Sequence, residues 1–224
     1  MQKRNLRVER KKHRLEENKT LILNEAEKIF AKKGYALATM DEIAEISQFS
    51  KATLYSYFKS KGDLFVAVIN NCFEQIYAEL IKIKNKEKRA SEKLKEYIHC
   101  VYSFHEQKKN IIKIFFIEIP EVKQIFKMQG KNLFGPGKKG QAPEIFKKHA
   151  EKMKKITTEI IREGIESGEF RKMNVKDASY IFGSIIRGFS FGLMVREKEY
   201  SIEKSTDLLH SFFLYGIKKE SHDE

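Results

Sequence analysis

Tryptophan is absent from the 224-residue chain, cysteine occurs twice and proline three times. Two thiols, Cys72 and Cys100, with no CxxC spacing are too few for a disulfide framework and point to a reducing, cytoplasmic setting. Scarce proline and only 12 glycines leave long stretches without a helix breaker and exclude collagen-like and low-complexity compositions. No run reaches ~18 uninterrupted apolar residues, and the basic start MQKRNLRVERKKHR has no apolar core behind it, so neither a membrane span nor secretion is expected. The chain is 41% hydrophobic and 33% charged, as ordinary folded proteins are. Its length suits one domain plus a smaller module.

What the chain has in excess is positive charge. Lys and Arg outnumber Asp and Glu by 13, which favours a polyanionic partner without choosing among DNA, RNA and a membrane surface. The surplus is uneven: residues 1–14 carry a net +6, residues 15–64 a net −1, and the rest lies mainly in runs from Lys82 to Lys95 and from Lys123 to Lys155. A basic arm thus precedes a nearly neutral module.

Apolar residues recur at three and four spacing almost throughout, which predicts helices. Leu15, Ile22, Ala26, Ile29 and Phe30 line one stripe of a first helix that stops at Lys32-Lys33-Gly34, where a glycine can take the left-handed cap. Thr39-Met40-Asp41-Glu42 is a capping box opening a second helix, with Met40, Ile43, Ala44 and Ser47 inward. Ser50 caps a third helix, Lys51 to Phe58, that buries Leu54 and Phe58. Ser60 and Asp63 mark a fourth. Helices are predicted at 62–86, 91–108, 111–128, 143–167, 174–196 and 201–219, with a loop at 130–142. A strand competes only at IIKIFFIEIP, 111–120, which is read as helix because no partner strand is visible.

Two short helices about three residues apart behind a longer one form a helix-turn-helix, whose second helix is suited to a major groove. One face must be buried to fix the crossing angle, and Ile43, Ala44, Leu54 and Phe58 supply it. Lys51, Ala52, Thr53, Ser56 and Tyr57 supply a small, polar outer face. The fold class is therefore all-α: a three-helix DNA-binding domain at 15–61 behind the arm at 1–14, then a larger helical domain at 62–224.

The stretch AEKIFAKKGYALATMDEIAEISQFSKATLYSYFKSKGDLF resembles the DNA-binding signature of the TetR family of transcriptional regulators over about forty residues. Its strongest parts are Ala26, Phe30, Gly34, Thr39, Ile43-Ala44 and the run from Ser50 to Lys61. Two positions depart from it: the family usually has Gly in the turn at Gln48 and Val at Phe49. A non-glycine residue at positive φ is strained. The resemblance implies phosphate contacts from Thr39, Tyr55, Tyr57 and Lys61, and groove or backbone contacts from Ser50, Lys51, Ala52, Thr53 and Ser56. Lys3, Arg4, Arg7, Arg10, Lys11, Lys12 and Arg14 of the arm can add minor-groove or phosphate contacts, as basic arms do elsewhere.

A helix of about eight residues is roughly 12 Å long and reads few base pairs, so a homodimer on a dyad operator is expected. The last two predicted helices resemble the family's dimerisation pair. Ile181, Ile185, Gly188, Gly192, Leu209, Phe212 and Phe213 are the expected interface, with Leu208 and Tyr215 able to extend it. The resemblance further implies a small-molecule effector, lipophilic or amphipathic, that releases a repressor from double-stranded DNA. Phe73, Tyr77, Phe104, Phe115, Phe116 and Phe182 are candidate lining, and the basic runs allow an anionic headgroup.

Other constellations carry little. His99, Cys100 and His105 lack a third ligand at helical spacing, so no metal is expected. The turn Phe134 to Gly140 lacks P-loop spacing. Glu163, Glu166 and Glu169 form no catalytic pair, and REGIESGEF reads as a helix end at Gly168. No catalytic residue and no cofactor is expected. The alternative reading is a nonspecific cationic helical protein for nucleic acid or membrane surfaces.

Overall fold

The computed structural model describes residues 2–117, 144–196 and 200–217, with side-chain surroundings at 8–114, 147–190 and 200–217. Among them every regular element is a helix: α1 Gln2–Leu37, α2 Met40–Ile46, α3 Lys51–Tyr57, α4 Lys61–Lys84, α5 Ala90–Gln107, α6 Lys109–Ile117, α7 Glu144–Glu166, α8 Val175–Arg196 and α9 Ile202–Ile217. The IIKIFFI run is helical, and the expected 130–142 loop lies outside the described residues. The described residues fall into two compact units, 2–72 with 108–117, and 73–107 with 144–196 and 200–217.

In the first unit α1 packs on α2 and α6, and α2 on α3. Ile22, Ala26, Ile29 and Phe30 are buried as the stripe requires, but Leu15 is 46% exposed. The reason is length: helix formation runs back to Gln2 through good helix formers with no glycine or proline, and α1 outgrows its packing partners. The arm therefore continues α1 as helix. At the other end Gly34 leaves helical geometry at φ 76, ψ 171, a conformation open to glycine. Phe30, Tyr35 and Phe65 close the unit's centre, with Phe65 edge-on to Phe30 at 5.1 Å and to Tyr35 at 5.2 Å.

In the second unit α9 packs along α5, and α8 along α7. Their shared core holds Leu80, Leu94, Ile98, Ile156, Ile160, Ile161, Phe170 and Phe182. Gly164 lets α7 approach Phe170, because a Cβ there would lie 2.3 Å from the Phe170 ring. By length and composition α4 could cross a membrane, yet Leu64, Phe65, Val68, Ile69, Cys72, Ile76 and Leu80 on it are buried in the protein, as in a core helix. Cys72 and Cys100 are free thiols.

Candidate nucleic-acid interface

The turn of the helix-turn-helix is built by backbone bonds. The Gln48 N–H donates to the Glu45 carbonyl at 3.0 Å and the Phe49 N–H to the Ala44 carbonyl at 2.9 Å, the paired bonds of a Schellman end. Gln48 sits at φ 59, in the left-handed region that the resemblance assigns to glycine. The turn keeps its shape and Gln48 carries the strain.

Both caps expected at the helix starts form. Thr39 Oγ1 accepts from the Glu42 N–H at 3.2 Å, and Ser50 Oγ accepts from the Thr53 N–H at 3.1 Å. The reciprocal half of the capping box is replaced: the Glu42 carboxylate pairs with Lys33 Nζ at 2.6 Å, because a full cation near the end of α1 outcompetes a backbone donor. Ser60 Oγ accepts from the Asp63 N–H at 3.1 Å at the start of α4.

With Leu54 and Phe58 buried beneath it, α3 turns Lys51, Ala52, Tyr55 and Ser56 to solvent, while Thr53 and Tyr57 are half-buried. Lys51 Nζ reaches Asp41 Oδ2 at 2.5 Å, but both side chains are largely exposed, so the pair is weak. Ser56 Oγ donates to the Thr53 carbonyl at 2.6 Å. Thr39, Tyr55 and Lys61, far apart in sequence, line one open hollow with Ala38, Met40 and Asp41. Tyr57 does not line it. Lys61 is engaged there, as its Nζ donates to the carbonyls of Tyr35, Ala36 and Ala38. No spacing in the sequence signals that arrangement.

On the arm, Arg10, Lys11, Lys12 and Arg14 are exposed, and the side chains of Lys3, Arg4 and Arg7 lie outside the described residues. The downstream basic run differs in character. Lys82 pairs with Glu79, Lys84 with Glu159, Lys86 and Lys88 with Glu96, Arg89 with Glu169, Lys93 with Glu163 and Lys95 with Asp207. Glu169 also accepts from the Ala90 N–H at 2.9 Å and from the Ser91 hydroxyl, capping α5. These carboxylates were missed as partners because they lie about 70 to 110 residues away in several cases. The open hollow of about 870 Å³ bordered by Lys86, Lys88, Arg89, Lys93, Glu163 and Glu169 is walled by such pairs.

The expected effector residues spread out. Phe182 is buried against Tyr97 and Phe213, Phe73 stacks on His149 at 4.7 Å, and Lys152 Nζ stands 4.7 Å from the Tyr77 ring centre. Phe104 is half-buried at the core margin, and the side chains of Phe115 and Phe116 lie outside the described residues. His105 packs edge-on to Tyr102, and burial pushes it down to about 4. Among the described residues no cluster of metal-ligating side chains occurs.

The expected dimer helices divide by face. Leu209 and Phe213 are buried inside their own subunit, with Phe213 4.8 Å from Phe182. Ile181 and Phe212 are exposed, and Tyr180, Leu208 and Tyr215 join them. Ile185 is half-buried. A Cβ on Gly188 would meet nothing within 4 Å. The surroundings of Gly192 lie outside the described residues.

Comparison with known proteins matches this architecture at both ends. Residues 22–68 match the bacterial regulatory proteins of the tetR family, and residues 138–218 match the QacR-like protein C-terminal region. The regulator QacR of Staphylococcus aureus is 41% identical over 75 residues, 31% of this chain and 40% of QacR. An uncharacterised helix-turn-helix regulator from the lacX 3′ region of Lactococcus lactis is 25% identical over 90% of this chain and 95% of its own length. The alignments span less than half the length of several curated relatives, QacR included. A solved Clostridium perfringens structure with a proposed role as a fatty acid metabolism regulator is 26% identical, covers 89% of this chain and all of its own, and superposes with a TM-score of 0.60. From a head that matches the family signature and a C-terminal region that matches the QacR-like half, the chain belongs to the TetR family of bacterial regulatory proteins.

Proposed function

We propose that this TetR-family member is a homodimeric, ligand-responsive transcriptional repressor of the cytoplasm, not an enzyme, that reads a dyad operator through α3. The observation that carries the reading is the solvent-facing surface of Lys51, Ala52, Tyr55 and Ser56 above buried Leu54 and Phe58. Thr39, Tyr55 and Tyr57 serve as phosphate ligands that set register, and Lys51, Ala52, Thr53 and Ser56 face the groove, with Ser50 at its mouth. The head spans 15–61 behind the 1–14 arm, and 62–224 carries effector binding and dimerisation.

Seven residues of α3 make about 10 Å of helix, enough for a few base pairs, so two heads must be joined. Ile181, Gly188, Leu208, Phe212 and Tyr215 offer the face that joins them. The arm supplies exposed positive charge, at Arg10, Lys11, Lys12 and Arg14, that the near-neutral head lacks. The competing view of a nonspecific cationic binder loses support because every Lys and Arg of the Lys82 to Lys95 run is paired with a carboxylate elsewhere in the chain.

The effector is a small amphipathic or lipophilic molecule, in keeping with the aromatic margin of the second unit and with the proposed role of the C. perfringens relative. It acts only by binding the DNA-free arrangement more tightly than the DNA-bound one. The test is fluorescence anisotropy with a duplex selected from random sequence by the wild-type chain. Ala52→Asp and Ser56→Asp should each weaken that duplex by tenfold or more while leaving the fold intact. Undiminished binding by both would remove α3 from the interface.

A further inference from the structure

Lys61 opens α4 with its charge turned back toward the protein. Its Nζ donates to the carbonyl of Tyr35 at 2.8 Å, of Ala36 at 3.1 Å and of Ala38 at 3.0 Å, and stands 4.5 Å from the centre of the Tyr35 ring. An ammonium has three N–H donors, and three carbonyls converge on this one. These carbonyls lie where α1 runs out, beyond the break at Gly34, where backbone oxygens lack helical donors and carry the negative end of the helix dipole. A phosphate drawing Lys61 outward would strip all three of their shared donor. The Tyr35 ring beneath the ammonium is itself wedged against Phe30 and Phe65.

We propose that Lys61 is a positioning residue of the DNA-binding head rather than a phosphate ligand: it ties segment 35–38 to the start of α4 and so places Thr39 and α2 beneath α3. The geometry links the parts in order. Ala38 directly precedes the Thr39 cap, Thr39 opens α2, and α2 packs on α3. Lys61, Thr39 and Tyr55 border one hollow, so releasing the clamp disturbs the surface offered to the backbone without removing a charge from it. The inference rests on the reading of the head as a duplex reader.

Two variants separate the roles. Lys61→Met keeps the stem over Tyr35 and deletes the charge; Lys61→Arg keeps the charge, but its planar fork cannot converge on three carbonyls from one point. The probe is the duplex selected by the wild-type chain, titrated from 50 to 200 mM KCl, with hydrogen exchange followed at residues 35–41 without DNA. The expected result is faster exchange in both variants, tenfold or greater loss of the selected duplex, unchanged binding of random duplex and an unchanged salt slope. A direct phosphate ligand would instead lower the slope of log K against log salt by about 0.9 per Lys61, roughly 1.8 per dimer, with Lys61→Arg retaining affinity; that result overturns the proposal. Unchanged operator affinity in both variants overturns it too, leaving only a packing role. If Lys61→Met does not fold, Lys61→Arg alone decides through affinity and exchange, since retained operator affinity with unchanged exchange at 35–41 would overturn the clamp. Should the wild-type chain select no duplex, the regulator reading falls while the clamp is still judged by exchange, and unchanged rates at 35–41 would contradict it.

Discussion

Glu27 of α1 and Lys108, the residue between α5 and α6, form an ion pair at 2.5 Å whose side chains are only 15% and 18% exposed. The pair joins positions 81 apart and holds α6 against α1 within the first unit. Removing one partner strands the other in a poorly solvated place. Lys108→Met or Glu27→Gln should each destabilise the protein by about 1 to 3 kcal/mol, below the range for fully buried pairs because some solvent reaches this one. Urea denaturation measures it, and a loss under about 0.5 kcal/mol in both variants would show that the pair contributes nothing net.

Gln48 occupies a backbone region that glycine enters freely, at φ 59. The Schellman bonds around it need no side chain. Gln48→Gly should therefore stabilise the protein by about 0.5 to 1 kcal/mol, the relief of left-handed strain exceeding the added flexibility of the unfolded chain. Thermal unfolding tests this, and a lowered midpoint would mean that the Gln48 side chain makes a compensating contact.

Stability should fall as pH drops from 7 to 5. Burial holds His105 near 4, against about 6.5 unfolded, so below 6.5 the unfolded chain binds a proton that the folded chain refuses. The loss from this residue should reach about 1 to 2 kcal/mol by pH 5 and continue toward pH 4, where the folded state also titrates. Burial lowers His149 and His210 as well, and they act in the same direction. His105→Phe should flatten part of the slope in urea titrations at pH 7.5, 6.0 and 5.0. An unaltered slope would assign the effect to the other two.

On α8 and α9, Ile181 and Phe212 are 52% and 72% exposed and Tyr215 is 83% exposed, an apolar face uncovered within the subunit. Ile181→Glu with Phe212→Glu should convert a dimer into particles of the monomer mass, 26.3 kDa, in light scattering. Because neither side chain belongs to the subunit's own core, the melting of each subunit should change little. A variant that remains dimeric would place the interface elsewhere.

Helices were legible because their starts are chemical: Thr39, Ser50 and Ser60 cap where their hydroxyls predict. The buried face of the head was legible for the same reason, since Ile43, Ala44, Leu54 and Phe58 recur at helical spacing. Long-range polar partners were not. Nothing within a few residues of Lys61 or Lys93 indicates that one meets the carbonyls of 35–38 and the other Glu163. Periodicity also cannot tell an intrachain from an interchain apolar face, which is why Leu209 and Phe213 were grouped with Phe212. Only packing of α9 on α5 separates them.

The central claim is that two copies of α3 read a symmetric duplex, and hydroxyl-radical footprinting on the selected DNA tests it most directly. The account predicts two protected half-sites related by a dyad and separated by about one helical turn, both lost with Ala52→Asp. A single asymmetric patch, or protection that survives that substitution, would contradict it.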